Sequence, residues 1–243
     1  MKRIFYFVYQ WLIFMPIFLA STVIVSLTTI FGCFIGNSDF WGYYPAVIWS
    51  RFTCRLALLG IKTTGHDNLN KNESYVFVAN HQGAFDIFLI YGYLGHNFRW
   101  LMKKSLRKLP LVGKASEAAG HVFVDRSSKS GILQTIEEAK GKLRHGVSTV
   151  VFPEGSRTED GKMHAFKKGA FQMALDLHLP IVPLRIDGSF KVLKKDSLLL
   201  SPEKMTLTIH KPIYTDDLNA EDMPKLMDEV WHIIANSSVE NDV

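Results

Sequence analysis

Tyr75-Val76-Phe77-Val78-Ala79-Asn80-His81-Gln82-Gly83-Ala84-Phe85-Asp86 opens as a short β-strand and runs directly into a polar turn. β-branched and aromatic residues fill the first five positions. In an α/β sheet, the end of a strand is a usual place for a site. Five more runs of strand character lie around it, at residues 98–102, 121–124, 147–152, 181–186 and 205–209. Helical patterns fall between them. Ile132, Ile136, Ala139 and Leu143 recur at helical spacing behind a Ser127-Ser128 cap. Residues 171–177 form a helix stopped by Pro180, and Met223, Leu226, Met227, Val230, Ile233 and Ile234 mark a helix near the C-terminus. Strands alternating with helices predict an α/β fold over residues 61–243, with a mixed sheet flanked by helices.

The first sixty residues differ in character. Lys2 and Arg3 are followed by no charge until Asp39. The apolar run 4–35 would be about 48 Å long as a helix, against about 30 Å for a bilayer core. One straight span is a poor fit, and Pro16 and Gly32 mark expected kinks or ends. Residues 40–60 carry Arg51 and Arg55 together with Trp41, Tyr43, Tyr44 and Trp49, a composition suited to a helix at the membrane interface. The run is twice as long as the apolar region of a secretory signal, so residues 1–60 are read as a retained helical membrane anchor. Cys33 and Cys54 fall within it as small apolar fillers.

The whole chain is 47% hydrophobic and 21% charged, which excludes a disordered chain. Two cysteines are too few for a disulfide framework. A net charge of +5 favours anionic partners. The charge is concentrated: residues 87–116 contain Arg99, Lys103, Lys104, Arg107, Lys108 and Lys114 and no acidic residue. Beside an anchor, such a stretch suits anionic lipid or a phosphorylated substrate. No nucleic-acid-binding motif accompanies it.

No phosphate loop, dinucleotide fingerprint, zinc-protease motif or serine nucleophile elbow is present. Two elements that can carry chemistry remain. His81 and Asp86 would be about 140° apart on an ideal helix. Pairing them requires the chain to turn, which Gly83 permits. A paired aspartate would orient the imidazole as a general base. With nine histidines in the chain, this spacing alone is a weak signal. The second element is Val151-Phe152-Pro153-Glu154-Gly155-Ser156-Arg157-Thr158, where backbone N–H groups and the Arg157 guanidinium suit an anion. Taken singly, it could equally be a turn closed by a surface ion pair. Arg126 ends another strand run and is a further candidate for the same pocket.

Taken in order, these pieces resemble the glycerolipid acyltransferase family, and within it the 1-acyl-sn-glycerol-3-phosphate acyltransferases. The blocks are His81 to Asp86, residues 122–126 ending in Asp-Arg, the phosphate block 152–158 with Ser156 and Thr158 exchanged relative to the usual order, and the proline-containing strand 180–184. The resemblance implies that His81 takes the proton from the sn-2 hydroxyl of lysophosphatidic acid while Asp86 holds its tautomer. It implies that Glu154, Gly155 and Arg157, with Arg126 and Lys103, grip the glycerol phosphate. Acyl-CoA or acyl carrier protein would be the co-substrate, with no metal or other cofactor, and the product phosphatidic acid. It also implies a catalytic domain on the cytoplasmic face of the inner membrane. Alternatives left open are another lyso-lipid acceptor such as a lyso-ornithine lipid, a thioesterase, and a non-catalytic lipid-binding protein.

Overall fold

The computed structural model describes residues 2–124, 141–143, 146–194 and 197–237. Arg126, and the expected helix from Ser127-Ser128 through Ala139, lie outside them. Seven strands form one mixed sheet: β1 (Gly60–Thr64), β2 (Val76–Ala79), β3 (Phe98–Lys103), β4 (Val122–Val124), β5 (Ser148–Val151), β6 (Ile181–Asp187) and β7 (Lys204–Ile209). Their order is β1-β7-β6-β2-β5-β3-β4. β6, β2, β5, β3 and β4 run parallel, and β7 turns back antiparallel to β6 with β1 parallel to it.

The six expected strands are all present, each within a residue of its expected ends. β1 is the added one. It is an edge strand with alternating partial burial, and Ile61 is its only bulky aliphatic residue. Its place therefore depends on pairing with β7 rather than on its own composition.

β2 lies at the centre of the sheet with all four residues buried. Its side chains alternate between two cores. Phe77 and Ala79 join Leu89, Ile90, Phe98 and Met205 on one face. Val76 and Val78 join Phe171, Leu226 and Val230 on the other. The first face is covered by α4 (Tyr44–Leu56), which follows the short helix α3 (Ser38–Trp41), and by α5 (Asp86–Tyr93). The second is covered by Gly169–Leu177 and Met223–Asn236.

The N-terminal helix is continuous. α1 (Lys2–Tyr9) passes through a π-turn at Gln10–Phe14 into α2 (Met15–Ile35). Pro16 has no N–H to offer the α-ladder, and the wider turn directly before it absorbs the mismatch. Within that turn Met15 N–H reaches the Gln10 carbonyl. Gly32 does not end the helix. It makes room for Trp41, whose ring a Cβ at that position would approach to 2.4 Å.

The segment Ile4–Ile35 is long and apolar enough to cross a membrane, and only 17% of its most apolar window is buried, unlike a core helix. Its base is fastened to the α/β unit. Tyr6 and Tyr9 donate to the carbonyls of Ala57 and Leu56, and Gln10 bonds Leu198 O and Leu200 N–H. α4 contributes Val47 to the sheet core while Ile48 on its other side stays exposed.

Candidate active site

The site gathers at the C-terminal ends of adjacent parallel strands. His81 follows β2, the 152–158 loop follows β5, and Lys103 ends β3. Asn80, buried, extends the sheet by one step. Its side chain donates to Ile186 O at 2.9 Å and accepts from Ile186 N–H at 2.7 Å, which fixes the chain just before His81.

The turn expected between His81 and Asp86 is present. Asp86 is the first residue of α5 and is fully buried. Its Oδ2 accepts from His81 Nδ1 at 2.7 Å, from Gln82 N–H at 2.7 Å and from Gly83 N–H at 2.9 Å. A carboxylate at a helix N-terminus also suits the helix dipole. With the proton held on Nδ1, Nε2 carries the lone pair and is the atom able to take a proton. Gly83 serves the turn by close approach and not by a left-handed φ. A Cβ there would lie 2.7 Å from Ser189 O.

The second loop wraps the same histidine. Phe152 stacks on the His81 ring at 3.9 Å and 11°. Thr158 N–H donates to His81 O at 3.0 Å. Glu154 is buried, with one oxygen accepting from His81 N–H at 2.7 Å and the other from His164 N–H at 2.8 Å. Burial pushes its carboxyl above the usual range, opposed by those two donors. Both Glu154 oxygens are therefore engaged in tying the two loops together. Gly155 has φ of +81°, the left-handed region where glycine alone is unstrained. Arg157 is half-buried and makes no ion pair among the described residues.

A cavity of about 800 Å³ opens beside these residues, lined by His81, Lys103 and Gly155 and by the apolar side chains of Phe88, Met102 and Leu106. That volume lies within the range of about 300–1,000 Å³ usual for ligand pockets. α2 lends Thr22, Val25, Ser26 and Thr29 to its wall, so the N-terminal helix is part of the site. This was missed from sequence, although Thr22, Ser26 and Thr29 recur at helical spacing within the uncharged run. Phe152 was inside a recognised block but had no assigned role. Arg99 leaves the basic stretch: it is buried, and it bonds Asp39 at 2.8 Å and Asn97 at 2.7 Å.

A family model described as Acyltransferase matches residues 60–187. The chain belongs to this acyltransferase family. A protein of Cocos nucifera named 1-acyl-sn-glycerol-3-phosphate acyltransferase is 30% identical over 219 residues, which cover 82% of this chain and 71% of that one. The mouse protein named 1-acyl-sn-glycerol-3-phosphate acyltransferase alpha is 30% identical over 175 residues, 71% of this chain and 61% of that one. The crystal structure of a 1-acyl-sn-glycerophosphate acyltransferase from Thermotoga maritima superimposes with a TM-score of 0.82 at 26% identity, covering 97% of this chain and 95% of that one. The fold of this acyltransferase therefore extends through the N-terminal helices as well as the sheet.

Two buried histidines are expected to make the acyltransferase acid-sensitive. Burial, then the positive charges of Arg99 and Lys142, push His121 down to about 3. In the unfolded chain the imidazole takes its proton near about 6.5. The unfolded state thus binds the extra proton first, so stability is full above that pH and is lost progressively as pH falls toward 3. Burial shifts His96 in the same direction. His121→Phe is expected to flatten the fall of the thermal midpoint between about pH 6.5 and pH 4. An unchanged slope would assign the acid loss to other groups.

Proposed function

We propose that this acyltransferase moves a fatty acyl group from the thioester of acyl-CoA or acyl carrier protein to the sn-2 hydroxyl of 1-acyl-sn-glycerol-3-phosphate. The observation that carries this reading is the His81–Asp86 pair at the wall of a large apolar cavity, with Lys103 and Gly155 in the same wall. His81 Nε2 takes the hydroxyl proton as the oxygen attacks the thioester carbonyl carbon. The tetrahedral intermediate collapses, the C–S bond breaks, and the imidazolium returns the proton to the departing thiolate. Phosphatidic acid and a free thiol result. Asp86 holds the imidazole and stabilises its protonated form during the step. The apolar cavity suits the acyl chain, and held substrates gain from positioning.

Arg157, Lys103 and the Gly155 turn supply the positive charge and backbone for the acceptor phosphate, with Arg126 assigned to the same task from sequence. Glu154 serves the phosphate indirectly, by holding the loop that carries Arg157. The helix Ile4–Ile35 anchors the chain in the membrane, with the α/β unit on the cytoplasmic face where the thioester donors are made.

Assaying the detergent-purified protein with lysophosphatidic acid and a long-chain acyl-CoA should release thiol and form phosphatidic acid one for one. Thiol without phosphatidic acid would mean hydrolysis or a different acceptor. Arg157→Ala is expected to raise the acceptor KM about 10- to 100-fold, the worth of a charge-assisted hydrogen bond, with the donor KM little changed. An unchanged acceptor KM would remove Arg157 from the phosphate site.

A further inference from the structure

The chain between β6 and β7 leaves and re-enters the sheet at the edge that carries His81. β6 runs parallel to β2 with Leu184 opposite Ala79, so its last residue, Asp187, lies level with the turn after Ala79. Ser189 then packs against that turn, where a Cβ on Gly83 would meet its carbonyl oxygen at 2.7 Å. β7 returns antiparallel from the same edge.

Residues 197–200 of this connection are firmly held. Leu200 is buried in the sheet core. Leu199 N–H donates to Ser197 Oγ at 3.1 Å, and Ser201 N–H donates to Val192 O at 2.9 Å. The remaining tie is to the N-terminal helix. Gln10 is the one side-chain amide in the run 4–35 and is only 2% exposed. A buried amide is costly unless bonded. Gln10 Nε2 donates to Leu198 O, and its Oε1 accepts from Leu200 N–H, so both ends of the amide are spent on this loop. Held in this way, the loop leaves Leu198 74% and Leu199 53% exposed. A single exposed leucine is ordinary, but these two are adjacent, on an ordered loop, and next to further exposed apolar surface. Phe7, Ile13 and Ile17 lie three or seven residues from Gln10, on its side of the helix, and all are exposed.

We infer that Leu198 and Leu199 insert into the bilayer interface beside the N-terminal helix, and that loop and helix together hold the catalytic edge of the sheet against the lipid. The occupant of this surface is lipid because the two leucines continue the exposed apolar side of a helix long and apolar enough to cross a membrane. Lys191 and Lys194, exposed in the same connection, suit anionic headgroups at the margin of the patch. A single helical attachment leaves the α/β unit free to roll about the helix axis. A second contact off that axis removes the freedom, and Gln10 is the joint that fixes the angle between the two. The edge so presented is the one that carries His81, and a lipid acceptor can reach it from the membrane surface.

This inference rests on the membrane anchoring proposed above, and the test separates the two. Leu198→Cys and Leu199→Cys are made in the full chain, with Ile24→Cys as a helix control and Asp217→Cys as a control beyond the opposite end of β7. Cys33→Ala provides the background, since Cys54 is fully buried. Each cysteine carries a nitrobenzoxadiazole label, and the protein is reconstituted in vesicles of phosphatidylcholine and phosphatidylglycerol. Labels at 198 and 199 are expected to be quenched by nitroxide-bearing lipid and shielded from aqueous iodide, with the reverse at 217. Labels at 198 and 199 open to iodide overturn the inference. Labels shielded from iodide yet untouched by the nitroxide lipid also overturn it, because a protein or a second copy then covers the loop. A label at 24 that the nitroxide lipid fails to quench overturns the helical anchor, and the loop is still judged by its own two labels. Leu198→Glu combined with Leu199→Glu is expected to lower turnover of vesicle-borne lysophosphatidic acid about tenfold or more, the worth of burying a leucine side chain. Turnover of a water-soluble short-chain acceptor and the thermal midpoint should stay near wild type, and an unchanged rate on vesicles overturns the role in holding the catalytic edge.

Discussion

His81→Ala is expected to lower the rate of acyl transfer by about 10²–10⁴-fold, the usual worth of a positioned general base, while the protein stays folded. The expectation comes from geometry. Nδ1 is committed to Asp86 at 2.7 Å, and no described residue bonds Nε2. No other described histidine is so placed. His121 lines the same cavity, but both its nitrogens are engaged and burial makes it a poor base. Folding should survive because the main-chain contacts that hold the loop do not use the imidazole: His81 N–H goes to Glu154 and His81 O receives Thr158 N–H. The lost ring stacking on Phe152 is worth about 0.5–1.5 kcal/mol. Steady-state rates and thermal unfolding on the same preparation check both halves. A folded variant that turns over at the wild-type rate removes His81 from the chemistry.

The legible part of this protein is the part written in contiguous residues. β2 and β5 could be read because each is a short apolar run that ends at a polar loop, and their loops carry His81 and Glu154. That the two loops meet is a property of the sheet order, in which β2 and β5 are neighbours although about seventy residues separate them. No local pattern contains that information. For the same reason the roles within the 152–158 block were only partly visible. Its charged residues suggested an anion site, yet the Glu154 carboxylate is taken up by the backbone N–H groups of His81 and His164. Arg99 looked like one of a set of surface cations, and its pairing with Asp39, sixty residues away, depends on tertiary structure. The N-terminal run was legible as apolar and helical; that the helix continues unbroken past Pro16 and Gly32 to Ile35 was not. Its contribution to the cavity wall follows from how it packs, and only the recurrence of Thr22, Ser26 and Thr29 hinted at it.

Asp86→Asn and Asp86→Ala should divide the two tasks this residue performs. Oδ2 orients the imidazole and also gathers the N–H groups of Gln82 and Gly83. Asparagine keeps a carbonyl oxygen of the same reach, so much of the turn is retained. It lacks the negative charge that stabilises the imidazolium formed as His81 takes its proton, and its amide can instead favour the wrong tautomer. The expected result is a loss in kcat of about 10²–10⁴-fold with substrate KM values within a few-fold of wild type, because Asp86 is fully buried and does not line the cavity. Alanine removes the acceptor altogether and leaves buried N–H groups unpaired, each at about 1–3 kcal/mol. Asp86→Ala should therefore lose activity to at least the same extent and also unfold at a distinctly lower temperature. The contrast carries the test. If Asp86→Asn keeps the wild-type kcat, the carboxylate is only a structural knot and His81 acts without a charged partner. If both variants lose kcat but only alanine loses stability, orientation and charge act on the chemistry, and hydrogen-bonding capacity alone holds the loop.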